Sequence, residues 1–139
     1  MIASTHRIAF LLNGEPVEAE IAANVLLIDL LRDVFAQHGV KRSCDMEVCG
    51  ACTVLVDDLP ISSCTMLAVD VDDRVVLTIE GVGAREKLDP VQEAFVRHGA
   101  VQCGYCTPGF ILSTKALLAE NPKPSREEIV HHLKGNICR

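Results

Sequence analysis

In Cys44-Asp45-Met46-Glu47-Val48-Cys49-Gly50-Ala51-Cys52, three cysteines stand at the spacing C-x4-C-x2-C, and Cys64 follows after eleven intervening residues. That is the plant-type spacing for a [2Fe–2S] cluster, a tight triplet with a distant fourth thiolate. Three thiolates on one loop must turn inward around the same group, so the backbone has to curl tightly. Gly50 and Ala51, between two of the cysteines, leave the loop free to approach closely. Backbone N–H groups exposed by such a curl can bond negatively charged sulfurs. A structural zinc site is the competing reading, but zinc sites usually join two C-x2-C pairs, whereas this half of the chain has a triplet and a single. Inert buried cysteines usually occur singly, which argues against that origin for four at this spacing.

Outward from the triplet, the first half reads as strands with one helix. His6 to Leu12 is rich in strand formers, Asn13-Gly14 is a strong hairpin signal, and Val17 to Ile21 alternates as a returning strand would. Val25 to Gln37 carries Leu27, Leu30, Leu31 and Val34 at helical spacing, with Gly39 where a helix could end. Thr53 to Val56 and Arg74 to Ile79 read as further strands, and Asp57-Asp58 as a turn before Leu59. The second half reads as helical. Asp89-Pro90-Val91-Gln92 combines an N-cap Asp, a Pro at the first position and a Gln at the third, for a helix to about His98 that Gly99 stops. Thr107-Pro108 starts a second helix, ending near Asn121-Pro122. Ser125-Arg126-Glu127-Glu128 is a capping box for a third, ending at Gly135. The change from strand to helix falls around Glu80-Gly81-Val82-Gly83, so two domains are expected, residues 1–80 and 81–139.

A second set of cysteines lies in the helical half. Cys103-Gly104-Tyr105-Cys106 is a C-x2-C immediately before a helix start, and Cys138 follows Cys106 after thirty-one intervening residues. Helix N-termini stabilise thiolates and anionic groups. Alone, a C-x2-C fits a redox pair, half a zinc site or half a cluster site; the βαβ context of a thioredoxin-like pair is not visible. Three cysteines remain for this set where a cluster normally takes four.

With 139 residues, 49% apolar, the chain is long enough for one ordinary domain or two small ones. One Tyr, four Phe and no Trp make a thin core, and seven cysteines suggest a metal staple for it. The net charge of −6 and the lack of basic runs argue against nucleic acid and anionic membrane surfaces. The longest apolar stretch, Val25 to Leu31, is interrupted by Asp29 and spans no membrane. Ile8 to Leu12 is too short for the core of an export signal. A cytoplasmic, reducing location follows as the expectation, where clustered cysteines hold metals rather than form disulfides. An odd number of them also argues against a closed disulfide set.

Three motifs, Cys49-Gly50-Ala51-Cys52-Thr53-Val54, Gln102-Cys103-Gly104-Tyr105-Cys106-Thr107-Pro108-Gly109 and Gly135-Asn136-Ile137-Cys138-Arg139, together resemble the small iron–sulfur subunit of the molybdenum hydroxylases, over essentially the whole chain. That family includes xanthine dehydrogenase, aldehyde oxidoreductase, carbon monoxide dehydrogenase and 4-hydroxybenzoyl-CoA reductase. The resemblance implies an α+β chain: a β-grasp, plant-ferredoxin-like domain followed by an all-α four-helix domain. It implies one [2Fe–2S] cluster on Cys44, Cys49, Cys52 and Cys64, and a second on Cys103, Cys106 and Cys138 with a further cysteine of a C-x-C pair. It implies a large molybdopterin-binding partner and a medium FAD-binding partner. Electrons would pass from molybdenum through the helical-domain cluster and the β-grasp cluster to FAD. Gln102 matches a glutamine that contacts the pterin in the family. Two positions depart from the pattern. Glu47 stands where the family usually has a small residue, often Gly, and Glu is strained if that position needs φ > 0. Arg139 is the last residue, one before the second cysteine of the C-x-C, so the natural chain is expected to continue with a cysteine.

The remaining polar residues read as structural. His38, His98, His131 and His132 fall on helical segments or their ends, Lys41-Arg42 on a solvated loop, and Asp70, Asp72 and Asp73 on a solvated turn. No Ser/His/Asp or Cys/His set looks catalytic. A free-standing ferredoxin-like carrier and a zinc-stapled interaction module are the competing functions. The helical half argues against the first, and visible absorption would exclude the second.

Overall fold

The computed structural model describes residues 5–84 and 86–139. Residues 1–4, ahead of the short apolar run Ile8 to Leu12 at the N-terminus, lie outside them. Strands β1 (Thr5–Leu12) and β2 (Glu15–Ala22) form an antiparallel hairpin. Asn13 and Gly14 make its turn, both at positive φ, the backbone that an Asn-Gly pair supplies at least cost. A second hairpin joins β3 (Thr53–Val56) to β4 (Leu59–Ser62) through Asp57 and Asp58, again both at positive φ. β5 (Val75–Leu77) runs parallel to β1 and antiparallel to β3, giving the sheet order β2-β1-β5-β3-β4.

The helix expected over Val25–Gln37 is shorter and wound differently. α1 spans Leu27–Asp29 and passes directly into a π-helical turn, Leu30–Val34, closed by a bond from Phe35 N–H to Leu30 O at 3.2 Å. Leu27, Ile28, Leu30 and Leu31 are all fully buried. Each contributes about 2 kcal/mol relative to exposure. The chain leaves the turn at Ala36, which takes φ 54°, so Gly39 is not the cap. Gly39 serves a close approach instead: a Cβ there would overlap Ile79, and its N–H donates to Glu80 Oε1 at 2.6 Å.

The helical half follows its sequence signals closely. α2 (Pro90–Arg97) and α4 (Arg126–Leu133) both begin with complete capping boxes, Asp89 with Gln92 and Ser125 with Glu128. α3 (Thr107–Glu120) starts after Cys106 with Pro108 in its first turn. Past Gly81 the described residues form three helices, where the resemblance implied four. No helix among the described residues is long and apolar enough to cross a membrane.

Two apolar cores lie on the two faces of the sheet. The larger packs β1, β3 and β5 against the α1 region, through Ile8, Phe10, Val54, Val76, Leu27 and Leu31. The smaller packs Leu55 of β3 and Val82 against Ile111, Leu112 and Ala116 of α3. β3 is therefore buried on both faces, with no exposed residue along its length.

Candidate metal centres

The triplet loop runs from Cys44 to Cys52 and enters β3. Three backbone N–H groups, of Met46, Val48 and Cys49, point at the Cys44 sulfur and lower its pKa to about 7. The curl that does this needs left-handed backbone at Asp45, Glu47 and Gly50, with φ of 53°, 61° and 70°. Only Gly50 takes that conformation without strain; Glu47 is the strained departure anticipated from the sequence. Its carboxylate accepts a bond from Thr65 Oγ1 at 3.2 Å, next to Cys64.

Cys52 and Cys64 are buried. Burial comes first in pushing Cys52 up to about 11, because a bare thiolate is poorly solvated there. The neighbouring Cys64 thiol also raises Cys52, and the neighbouring Cys49 thiol lowers Cys44, so the four fall into two adjacent pairs. Ser63, fully buried between the two segments, donates from Oγ to Cys52 O at 2.7 Å and fixes the return of the chain at Cys64. The N-terminal set is thus two thiol pairs on one frame, the donor chemistry that a group of two irons requires.

The C-terminal set sits across a seam from the first. Cys103 and Cys106 precede α3, and Cys138 returns beside them after α4. The Cys106 thiol is pushed up by burial, by a bond to Cys138 and by the nearby Cys103. Cys103 and Cys138 are exposed. All three line a cavity of about 610 Å³, together with Cys49, Gln102 and Tyr105. Gln102, expected to face a cofactor, is exposed at this cavity. Among the described residues no three His, Cys, Asp or Glu side chains converge on a single-ion site.

The seam between the sets is held by backbone. Ile137 N–H donates to Cys49 O at 2.9 Å, and Asn136 Nδ2 to Gly50 O at 3.3 Å. Gly50 O also accepts from Thr53 Oγ1 at 2.7 Å. Tyr105 Oη donates to Arg42 O. Arg42 is ion-paired with Asp29 and with Asp45 at 2.8 Å, so it braces the loop rather than standing free in solvent. Asp72 likewise does more than cap a solvated turn: its Oδ1 accepts from Ala9 N–H at 2.8 Å. His132 Nε2 lies 3.0 Å from Ser113 O, tying α4 to α3.

Sequence reasoning assigned no role to Asn136, Ile137, Tyr105 or Gly109, although all stand inside the quoted motifs. Gly109 carried a signal. A glycine inside a helix costs about 1 kcal/mol relative to alanine. Its presence there points to something approaching the backbone, and that neighbour is the Gly50 carbonyl.

Comparison with known proteins agrees with this geometry. Residues 10–78 match the family model described as "2Fe-2S iron-sulfur cluster binding domain", and residues 78–139 that described as "[2Fe-2S] binding domain". The chain is 47% identical to the nicotinate dehydrogenase small FeS subunit of Eubacterium barkeri, over 92% of this chain and 82% of that one. It is 43% identical to the nicotine 6-hydroxylase small subunit of Paenarthrobacter nicotinovorans, over 91% of this chain and 76% of that one. Its fold superposes on a chain of quinoline 2-oxidoreductase from Pseudomonas putida 86 with a TM-score of 0.93 and 41% identity, covering 97% of this chain and 83% of the other.

Proposed function

The chain belongs to the [2Fe–2S] iron–sulfur subunits of the molybdenum hydroxylases, and from that membership we propose how its residues divide the work of electron transfer. It is the non-catalytic relay of an oxidoreductase complex, carrying electrons from a molybdopterin-bearing large subunit to an FAD-bearing medium subunit. Cys44, Cys49, Cys52 and Cys64 hold one [2Fe–2S] cluster, with Cys44 and Cys49 on one iron and Cys52 and Cys64 on the other. The thiol pairing supports this division. Cys103, Cys106 and Cys138 hold the second. The clusters supply one-electron redox chemistry. The chain's own residues hold them, bury the Cys52 and Cys64 side of the first and orient the second toward a partner.

The observation that carries the reading is the seam: the carbonyl of Cys49 in one set is bonded to the amide immediately preceding Cys138 in the other. The exposure of Cys103, Cys138 and Gln102 at one cavity supports a direction, with that face toward the pterin and the N-terminal set, in which Cys52 and Cys64 are buried, further along the path. We assign residues 1–80 as a plant-ferredoxin-like β-grasp domain and 81–139 as the helical domain. Seven free thiols suit the cytoplasm. Substrate choice then belongs to the molybdenum-bearing partner.

Electron paramagnetic resonance of the reduced native protein tests the reading. Two spectroscopically distinct [2Fe–2S] signals are expected, in a preparation that co-purifies with larger molybdenum- and flavin-containing chains. A signal integrating to one centre in iron-replete protein overturns the two-site assignment.

A further inference from the structure

Two short backbone segments, Cys49-Gly50 and Asn136-Ile137, meet directly between the cysteine sets, beside the Tyr105 bond to Arg42 O, and two further features hold them together. Asn136 donates its amide to Gly50 O at 3.3 Å. Gly109, buried in the first turn of α3, lies so close to the same oxygen that any Cβ on it would overlap the Gly50 carbonyl. Gly50 is reciprocally constrained: it has φ 70°, and a Cβ on it would overlap the Asn136 amide and the Gly135 carbonyl. Glycine at position 109 is unfavourable for the helix itself. What it permits is the approach of α3 to the triplet loop.

The geometry points to Gly109 and Asn136 as positioning residues that set the separation of the two cysteine sets, and thereby the rate at which an electron crosses between them. This rests on the proposal that both sets hold [2Fe–2S] centres. The crossing is one electron: one centre is oxidised by one as the other is reduced by one, and no proton or bond changes hands along the seam. Electron tunnelling falls off exponentially with distance, so a helix displaced by one methyl group slows the crossing. Neither residue offers a thiolate, so neither substitution removes a ligand.

The test uses the native complex with Gly109→Ala and Asn136→Ala. Iron content and integrated resonance signals are measured first, to establish that both centres are present. In both variants the mutual dipolar broadening of the two reduced centres, which falls with the cube of their separation, is expected to weaken. Electron equilibration between the centres after a rapid pulse of reductant is expected to slow severalfold, more in Gly109→Ala. A merely structural role would lower the melting temperature and leave the broadening of the folded fraction unchanged. Unchanged broadening and unchanged rate, with both centres present, overturn the proposal. If Gly109→Ala does not fold, Asn136→Ala decides by the same two readings, since it removes only one side-chain donor. Failure to find two centres in the unsubstituted complex overturns the reading under Proposed function instead, and is distinguished by the initial iron and signal count.

Discussion

Glu47 is held at φ 61° in the middle of the triplet loop, where a side chain on left-handed backbone costs about 1–2 kcal/mol. Replacing it with glycine removes that cost, against an entropic penalty of about 0.5–1 kcal/mol for the freer unfolded chain. The exposed bond to Thr65 is lost as well, a minor contribution. Glu47→Gly is therefore expected to be more stable by about 0.5 kcal/mol, read by denaturant unfolding of the protein with its metal retained. A marked loss of stability would mean that the carboxylate bridge to Thr65 outweighs the strain. At Cys49 the expectation is different in kind. Cys49→Ser removes a thiolate but keeps the carbonyl that Ile137 bonds, so the first resonance signal should vanish while the second persists. The N-terminal half should be destabilised with it, because metal-binding free energy is also folding free energy. Loss of both signals from a folded variant would contradict independent sites. The cysteine spacing was legible in the sequence itself, and the strain at Glu47 in its departure from the family pattern. Asn136 and Ile137 were not, because the groups they bond are backbone carbonyls distant in sequence.

Among the elements, α2 carries the clearest local signal and a contact that no local signal shows. Asp89 caps the helix through Val91 N–H at 3.0 Å, and its other oxygen meets Lys115 Nζ of α3 at 2.6 Å. Burial raises the Asp89 pKa, but the Lys115 bond and the Val91 N–H outweigh it and hold the carboxyl below its ordinary value. A depressed folded-state pKa contributes stability that is present above the unfolded value of 3.8 and is lost as pH falls through the folded value. Asp89→Asn should keep the cap and lose the ion pair, so the stability difference from the unsubstituted protein should be largest near neutral pH and shrink in acid. Asp89→Ala should cost more, since a lost cap alone is worth about 1 kcal/mol. Chemical unfolding of the three proteins at several pH values checks both statements; a difference independent of pH would assign the role to the cap alone. α1 is the opposite case. Its apolar spacing was read as a regular helix, yet the core takes Leu27, Ile28, Leu30 and Leu31 together, and the chain meets that demand with a π turn.

Across the whole molecule, β3 joins what the change of periodicity near residue 80 divides in the sequence. Its Val54 and Val56 enter the core with α1, and its Leu55 enters the core with α3. The proposed domains therefore share a strand. Leu55→Ala is expected to cost about 2–5 kcal/mol and to loosen α3 against the triplet loop, reducing retention of both metal centres together. Thermal unfolding combined with iron analysis checks this, and selective loss of the C-terminal centre alone would show that the two faces of the sheet respond independently. A fragment ending at residue 84 should likewise unfold at lower temperature than the intact chain, having lost the cover over Leu55, Leu77 and Ile79.

The sequence by itself determined the spacing of the cysteines, the Asn13-Gly14 turn, the two capping boxes and the strand-then-helix order. These are written in local spacing: thiolates that must share one loop, side chains that must reach an N–H three residues on, a turn that needs positive φ. Only the tertiary structure decided the π turn, the sharing of β3 between two cores and the closeness of the two cysteine sets. Each of those depends on groups that are far apart in the chain and carry no sequence pattern, such as the carbonyls of Cys49 and Gly50 meeting Ile137, Asn136 and Gly109. A backbone oxygen is the same in every residue, so where it is used becomes visible only when the chain has folded around it.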